Sequence, residues 1–324
     1  MSKTIAIIDL DTPIYKVAAA CEERSILVKH SPTGIEKSFS TRTEFKELLK
    51  KKDKLDALED YEIEDVQEPE PIENALHLLK NQVDKILESL WADDAVFLLS
   101  GSTNFRNDLP LPTKYKSTRS NIRPLLLKEV RAYAKKKFNA IESTNSEPDD
   151  SQIWMGYDYQ NKGYKPIVVS SDKDSKAYSG LFLFNPDKPE QGVVEIPKLG
   201  TIEVDSKNKV RAWGMMQYGL QMKIGDITDS YRPTELCKVK YGEKSAYKAL
   251  VNCKTEQEVL QSVIEQYKKW YPEDFIYTAW NGKKVESNWK HMLSLFHKCV
   301  RMQEVENDPL IAYDFYKRFG VELT

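Results

Sequence analysis

Pro166-Ile167-Val168-Val169-Ser170-Ser171-Asp172-Lys173-Asp174 is an apolar run that ends in two carboxylates around a lysine, and Glu147-Pro148-Asp149-Asp150 places three more within four positions just upstream. Carboxylates this close repel one another strongly unless positive charge lies between them. A divalent cation is the economical neutraliser, and oxygen-only donors suit Mg²⁺ or Mn²⁺, which keep waters and bind substrate phosphates. The pattern recurs. Asp9 and Asp11 follow the apolar run Thr4–Ile8, and Asp226 and Asp229 lie in Gly225-Asp226-Ile227-Thr228-Asp229. Short continuous apolar runs read as buried strands. In an open α/β sheet, groups just past the carboxyl ends of such strands converge on one crevice. The expected fold is therefore α/β, with a central, mostly parallel sheet flanked by helices. For Glu147–Asp150 alone there is also a structural reading, a helix start whose acidic side chains cap free amides and offset the dipole.

The 324 residues suffice for one large or two modest domains, and 40% hydrophobic with 30% charged residues is a globular composition. No run of eighteen apolar residues occurs, and Met1-Ser2-Lys3-Thr4 leads straight into a strand, so no membrane partner and a cytoplasmic location are expected. Cys21, Cys237, Cys253 and Cys299 are far apart and form no CxxC pair, which suggests neither a disulfide framework nor a zinc ribbon. His291, His297 and Cys299 are close in sequence but do not share one face of a helix, and read as ordinary structural residues.

A net charge of −2 hides an asymmetry. Residues 56–73 hold nine acidic side chains and no Lys or Arg, and with Pro69 and Pro71 read as a solvated connector. Arg106 to Lys137 holds ten Lys or Arg against Asp108 and Glu129, with Phe105, Tyr115 and Tyr133 interleaved. Cations beside aromatic rings are the combination used by single-stranded nucleic-acid sites.

In chain order, helices are expected over Pro13–Cys21, from Thr43, over Ala75–Leu90, Leu125–Phe138, Asp149–Tyr159 and Met215–Met222. Buried strands are expected at Thr4–Ile8, Ala95–Leu99, Ile167–Val169 and Leu181–Phe184. Ser25–Ser40 reads as a hairpin, as do Val193–Ile196 and Thr201–Val204 around Lys198-Leu199-Gly200. Gly242 opens a helix through Leu250, where exposed amides bind a phosphate without reading bases. The remainder from Thr255 reads as helical and rich in Trp and Tyr. No GxxxxGK[ST] loop occurs, so nothing points to ATP.

The order of these segments resembles the phage and bacterial 5′-nucleases of the flap endonuclease superfamily, nearest to the T7-like phage 5′→3′ exonucleases. The resemblance covers Ile5 to about Leu250. It rests on an Asp after the first strand, a YKxxR-type basic segment, an ExDD helix start, SxDKD, GDxxD and a glycine-lysine helix start. It implies two Mg²⁺ or Mn²⁺ ions, with Asp9, Glu147, Asp149 and Asp150 holding or supporting the first and Asp172, Asp174, Asp226 and Asp229 holding the second. Arg106, Lys116 and Arg119 would face the scissile phosphate in a helical arch, with Lys114, Tyr115 and Arg123 on DNA. Gly242, Lys244 and Ser245 would belong to a helix–three-turn–helix gripping duplex backbone, with K⁺. The implied division is a nuclease core over 1–224, with a basic arch region at 100–138, and a helical DNA-binding region over 225–324. The implied partners are the 5′ ends, flaps and duplex backbone of DNA and RNA–DNA hybrids, in a host cytoplasm if the chain is phage-encoded.

Two positions depart from the family pattern. Gly101, in Ser100-Gly101-Ser102, stands where a metal-binding aspartate is expected, and Tyr231-Arg232-Pro233-Thr234-Glu235 replaces a glycine-rich turn. Two rivals follow. One is a HAD-type phosphatase, because Ile8-Asp9-Leu10-Asp11-Thr12 resembles its nucleophile motif, with Asp9 as nucleophile and Asp11 as acid/base. The other is a DNA-structure-binding protein with weak or no catalysis.

Overall fold

The computed structural model describes residues 2–51, 55–118 and 122–323. The chain opens with β1 (Thr4–Asp9), whose Ile5–Ile8 are all buried, as in a parallel strand covered on both faces. Next come α1 (Asp11–Ala20), β2 (Glu22–His30), β3 (Ile35–Phe39), α2 (Arg42–Lys51), β4 (Tyr61–Pro69) and α3 (Ile72–Leu90). They are followed by β5 (Asp94–Leu99), α4 (Leu127–Lys137), β6 (Ile141–Glu142), α5 (Pro148–Asn161), β7 (Lys165–Val169), β8 (Phe182–Phe184) and β9 (Val193–Glu195). The last third comprises β10 (Ile202–Val204), β11 (Val210–Ala212), α6 (Gly214–Ile224), α7 (Glu243–Leu250), α8 (Glu256–Trp270), β12 (Phe275–Thr278), β13 (Lys284–Ser287), α9 (Trp289–Val300) and α10 (Ala312–Arg318). No helix among the described residues is long and apolar enough to cross a membrane.

Two compact units result, one of residues 1–10, 86–121 and 140–324 and the other of 11–85 and 122–139. Both sides of the boundary expected at 224/225 lie in the first unit, and the basic stretch 100–138 is divided between the two.

The first unit is built on a six-stranded sheet of order β6-β5-β1-β7-β8-β9. It is parallel except for β9, which runs antiparallel to β8. In register, Ile8 lies opposite both Phe97 and Val169, so β1, β5 and β7 end at one level. Helix α5 packs on these three strands. Gln152, wholly buried on it, donates from Nε2 to the carbonyls of Ile7 (2.8 Å) and Val169 (2.9 Å), which fixes the helix start over the strand ends. Helix α6 is buried all round from Gly214 to Lys223 and packs on α7, α8 and α9. Such a helix carries no amphipathic stripe.

The second unit is a three-stranded antiparallel sheet of order β3-β2-β4 with α2, and α4 packed on α1. Ile26, Val28, Phe39, Phe45 and Leu49 form its core. The acidic segment is a strand here rather than a solvated connector. Tyr61 and Ile63 pack against that core, Glu62 lies opposite Lys29, and Asp65 pairs with Arg42 at 2.7 Å. Inward apolar residues at alternate positions and neighbouring cations outweigh the charge that suggested disorder.

Two other expectations are corrected. Val193–Glu195 closes the edge of the main sheet, and the hairpin pairs Ile202–Val204 with Val210–Ala212. The helical C-terminal region also contains the hairpin β12–β13, whose turn holds a left-handed Gly282.

Candidate metal centre

Four separate segments of the first unit bring carboxylates to the carboxyl ends of its strands. Asp9 ends β1, and Asp172 and Asp174 follow β7. The Ser170 hydroxyl accepts from the Asp172 amide (3.0 Å), and Asp172 Oδ1 accepts from the Asp174 amide (2.9 Å), which folds this loop back on itself. Glu147 and Asp149 stand at the start of α5. Asp226 and Asp229 lie on a tight turn in which Asp226 and Tyr231 exchange both backbone hydrogen bonds at 3.0 Å. Asp226 Oδ1 also accepts from the Thr228 amide at 2.7 Å.

The electrostatics divide the acids into two groups that share Asp172. Burial, then Asp9, Asp172 and Glu147, push the Asp149 carboxyl well above its usual range, and Lys116 opposes them. Burial, then Asp172, Asp226 and Asp229, do the same to Asp174, opposed by Lys173. Asp229 is raised by burial and by Glu147 and Asp226, against Lys116. Glu147 and Asp226 are held below the ordinary range. Burial works against both, but Arg106 and Lys116 outweigh it at Glu147, and Lys173 with the Thr228 and Asp229 amides outweighs it at Asp226.

Two lysines supply positive charge inside the cluster. Lys116 sits on left-handed backbone (φ 56°), with its ammonium against Glu147 and 3.8 Å from Asp229 Oδ1. Its amide donates to the Asp229 carbonyl (2.9 Å), and Thr118 bonds Ser230, so the basic loop is stitched to the acidic turn. Lys173 Nζ lies 2.7 Å from Asp226 Oδ2. No group of three or more acidic, His or Cys side chains among the described residues is arranged as a ready-made metal cage. The donor set nevertheless fits hard divalent ions. It is all oxygen, and Asp149 and Asp174 are raised first by burial and then by neighbouring carboxylates, both of which a bound cation would offset.

Three expected site residues have other places. Arg106 is 2% exposed and does not face an open site. Its Nη1 and Nη2 bond Asp150 at 2.6 and 2.9 Å, and Nε and Nη2 donate to the carbonyls of Lys298 (3.1 Å) and Arg301 (2.9 Å). Asp150 is wholly buried and also accepts from the amides of Glu147 (3.0 Å) and Gln303 (3.1 Å). Its oxygens thereby anchor Glu147 and are turned away from ligand duty. Tyr115, expected as a stacking surface, is 4% exposed, and its single hydroxyl proton lies between Glu147 (3.1 Å) and Asp229 (2.9 Å), the nearer acceptor.

Lys114 is exposed, its ammonium 5.0 Å from the centroid of Trp280. Gly242 caps α7, and Lys244 and Ser245 are exposed on its first turn. Arg123 lies in the second unit, exposed, with its carbonyl accepting from Gln67 (3.0 Å). Asp11 also lies there, 2.6 Å from Arg131. Arg119 falls outside the described residues. A β-carbon at Gly101 would meet the Ser143 carbonyl oxygen at 1.9 Å, so the backbone leaves no room for an aspartate. Sequence reading missed Gln152 and Gln221, whose amide bonds Asp174. For Gln221 the signal is a polar residue on a helix that is buried all round, whereas Gln152 lies on a helix with other polar positions and gives none.

No family model matches the sequence, and no curated protein matches it. Among solved structures, a bacteriophage T5 D15 protein co-crystallised with metal ions is similar to 82% of this chain over 79% of its own, with TM-score 0.42 and 13% identity. A complex of the T5 D15 flap endonuclease with DNA and metal ions has TM-score 0.37 and 14% identity, over 59% of this chain and 79% of that one. A T5 5′-exonuclease with bound zinc has TM-score 0.34 and 15% identity, over 68% of this chain and 88% of that one.

Proposed function

We propose that the chain is a metal-dependent 5′-nuclease of the flap endonuclease type, hydrolysing phosphodiester bonds in DNA. The observation that carries this reading is the set of carboxylates from four segments at the strand ends, beside a basic loop whose Lys116 amide bonds the Asp229 carbonyl and whose ammonium lies against Glu147. Two adjacent acidic groups suit two-ion phosphodiester chemistry better than a single acid/base pair. Asp9, Glu147, Asp149 and Asp172 would hold one Mg²⁺ or Mn²⁺, and Asp172, Asp174, Asp226 and Asp229 the other. When bound, the ions supply water activation and charge neutralisation on the scissile phosphate.

The protein's own part is positioning and charge. Arg106 and Asp150 lock the start of α5, and Tyr115 spans Glu147 and Asp229 across the two groups. Lys116, whose ammonium lies against Glu147 and 3.8 Å from Asp229 Oδ1, would offset transition-state charge on a substrate phosphate held beside these carboxylates. Arg119 would share that role. Lys114, Arg123, Lys244 and Ser245 would contact DNA backbone, with K⁺ at the turn before α7, and cleavage of RNA in hybrids belongs to the same reading. Asp11 is tied to Arg131, which leaves the phosphatase alternative without a free acid/base.

The test is cleavage of a 5′-labelled flap duplex in Mg²⁺ and in Mn²⁺ by wild type, Asp149→Asn and Asp172→Asn. Small 5′ products from wild type, lost in both variants with DNA binding retained, support the reading. No cleavage by wild type in either metal would overturn it.

A further inference from the structure

A cavity of about 380 Å³ in the first unit is walled by the rings of Tyr157, Phe315 and Phe319 and by Arg301, Arg318 and Glu304. None of the acids of the metal centre lines it. The Arg301 guanidinium is held between two rings, 4.4 Å from the centroid of Tyr178 and 4.7 Å from that of Phe315, and Arg318 lies 5.2 Å from the same Phe315. Glu304 bridges the pair, bonding Arg301 Nη2 and accepting from Arg318 Nη1 at 2.7 Å. It lies on the irregular segment between α9 and α10, next to Val305, which is 62% exposed.

Arg301 is 6% exposed, and its Nε is buried with no hydrogen-bond partner among the described residues. A buried charged donor without a partner is costly, and its presence calls for an explanation. The fixed fork of a guanidinium matches carboxylate and phosphate oxygens in pairs. The wall carries Arg301, Arg318 and Lys198 against the carboxylates of Glu304 and Glu256, which leaves one positive charge in excess. The aromatic walls offer stacking faces to a planar ring, and the volume falls in the range of small-molecule sites, about 300–1,000 Å³. A cationic end beside aromatic walls favours a ligand that joins a phosphate to a flat heterocycle.

We propose that this cavity is a binding site for a nucleoside monophosphate. Its phosphate would take the Arg301–Arg318 pair in place of the Glu304 carboxylate, and its base would stack against Tyr157 and Phe319. Asn161 and Ser179, also on the wall, would meet polar atoms of the base edge. The inference rests on the cavity and not on the nuclease reading. Were both true, the site would take the class of molecule that an exonuclease releases.

The test is isothermal titration of the full chain in a chelating buffer with dAMP, deoxyadenosine and inorganic phosphate. The expected result is one dAMP per chain, bound at least tenfold tighter than either fragment. Arg318→Ala should weaken it tenfold or more, and Asp149→Asn should leave it unchanged. Arg318 is more than half exposed, so its loss should not disturb folding, which the urea midpoint checks. Phe319→Leu, which removes a stacking ring, should weaken dAMP but not phosphate. Absence of dAMP binding at millimolar concentration, phosphate binding as tight as dAMP, or binding that survives Arg318→Ala and fails in Asp149→Asn would each overturn the proposal.

Discussion

Gly101 and Ser143 approach so closely that a β-carbon on the first would stand 1.9 Å from the carbonyl oxygen of the second. The Ser143 amide also donates to Leu99 at 2.9 Å, which ties that carbonyl's backbone to the end of β5. Neither partner is a flexible side-chain tip. Gly101→Asp should therefore cost roughly 3 kcal/mol or more, through forced backbone displacement. The family resemblance implies the opposite, since it expects a metal-binding aspartate at this position. A soluble Gly101→Asp protein with an unchanged urea midpoint and higher nuclease activity would overturn the steric argument.

The buried Arg106–Asp150 pair makes a second prediction. Removing one partner strands the other charge, so Arg106→Met and Asp150→Asn should each cost about 3–5 kcal/mol. The double variant should cost clearly less than the sum of the two, because no uncompensated charge remains. Chemical denaturation of the three variants measures this coupling. Additive losses would mean that Arg106 acts mainly through its bonds to the carbonyls of Lys298 and Arg301.

His297 is 1% exposed, and its Nδ1 lies 2.8 Å from the Tyr218 hydroxyl. Burial, then Arg301, Arg318 and Lys298, hold its pKa well below the ordinary 6.5. Below that pH the unfolded chain binds a proton that the folded chain refuses, so the stability due to a neutral His297 is complete above 6.5 and is lost as pH falls. Asp149, Asp174 and Asp229, all raised, pull the other way, since protonation relieves their repulsion in the fold. The histidine contribution is therefore read as the difference between wild type and His297→Gln. Below pH 6.5 wild type should lose up to about 1.4 kcal/mol per pH unit more than the variant. Parallel stability curves would place the proton elsewhere.

Much of the frame is legible in the sequence because β1 and β7 are short apolar runs that end in aspartates, and only a strand buried on both faces needs Ile5–Ile8 or Ile167–Val169. The acidic recurrence likewise marks Asp9, Asp149, Asp172, Asp174, Asp226 and Asp229 from the residue order alone. What stays hidden depends on partners remote in sequence. Arg106 reads as a surface cation until Asp150, 44 positions later, takes it into the core. Tyr115 reads as a stacking ring until Asp229 accepts its hydroxyl proton, 114 positions away. The acidic strand β4 is misread because its charge dominates its composition, whereas Tyr61 and Ile63 decide its pairing. Gly101 lacks the positive φ of a turn glycine, so no turn signal reveals that it is held by the neighbouring backbone.

Asp149 offers the sharpest separation of stability from function. Its charge is opposed by burial and by Asp9, Asp172 and Glu147, so its ionised form destabilises the ion-free fold at neutral pH. The sign follows from the raised pKa: protonation at low pH removes the repulsion, and rising pH restores it. Asp149→Asn keeps the shape and deletes the charge. In a chelating buffer at pH 7 it should be more stable than wild type by about 1 kcal/mol, a rise of roughly 2 °C in Tm for a chain of this size. On the proposed reading, millimolar Mg²⁺ or Mn²⁺ should reverse the order, because an ion would stabilise the folded wild type by mass action and the variant would lack one of its ligands. Thermal unfolding of both proteins with and without the ion measures the two effects together. If Asp149→Asn proved less stable than wild type in chelator, and the ion raised both midpoints equally, Asp149 would be a structural helix-start residue and the first ion would have to be held without it.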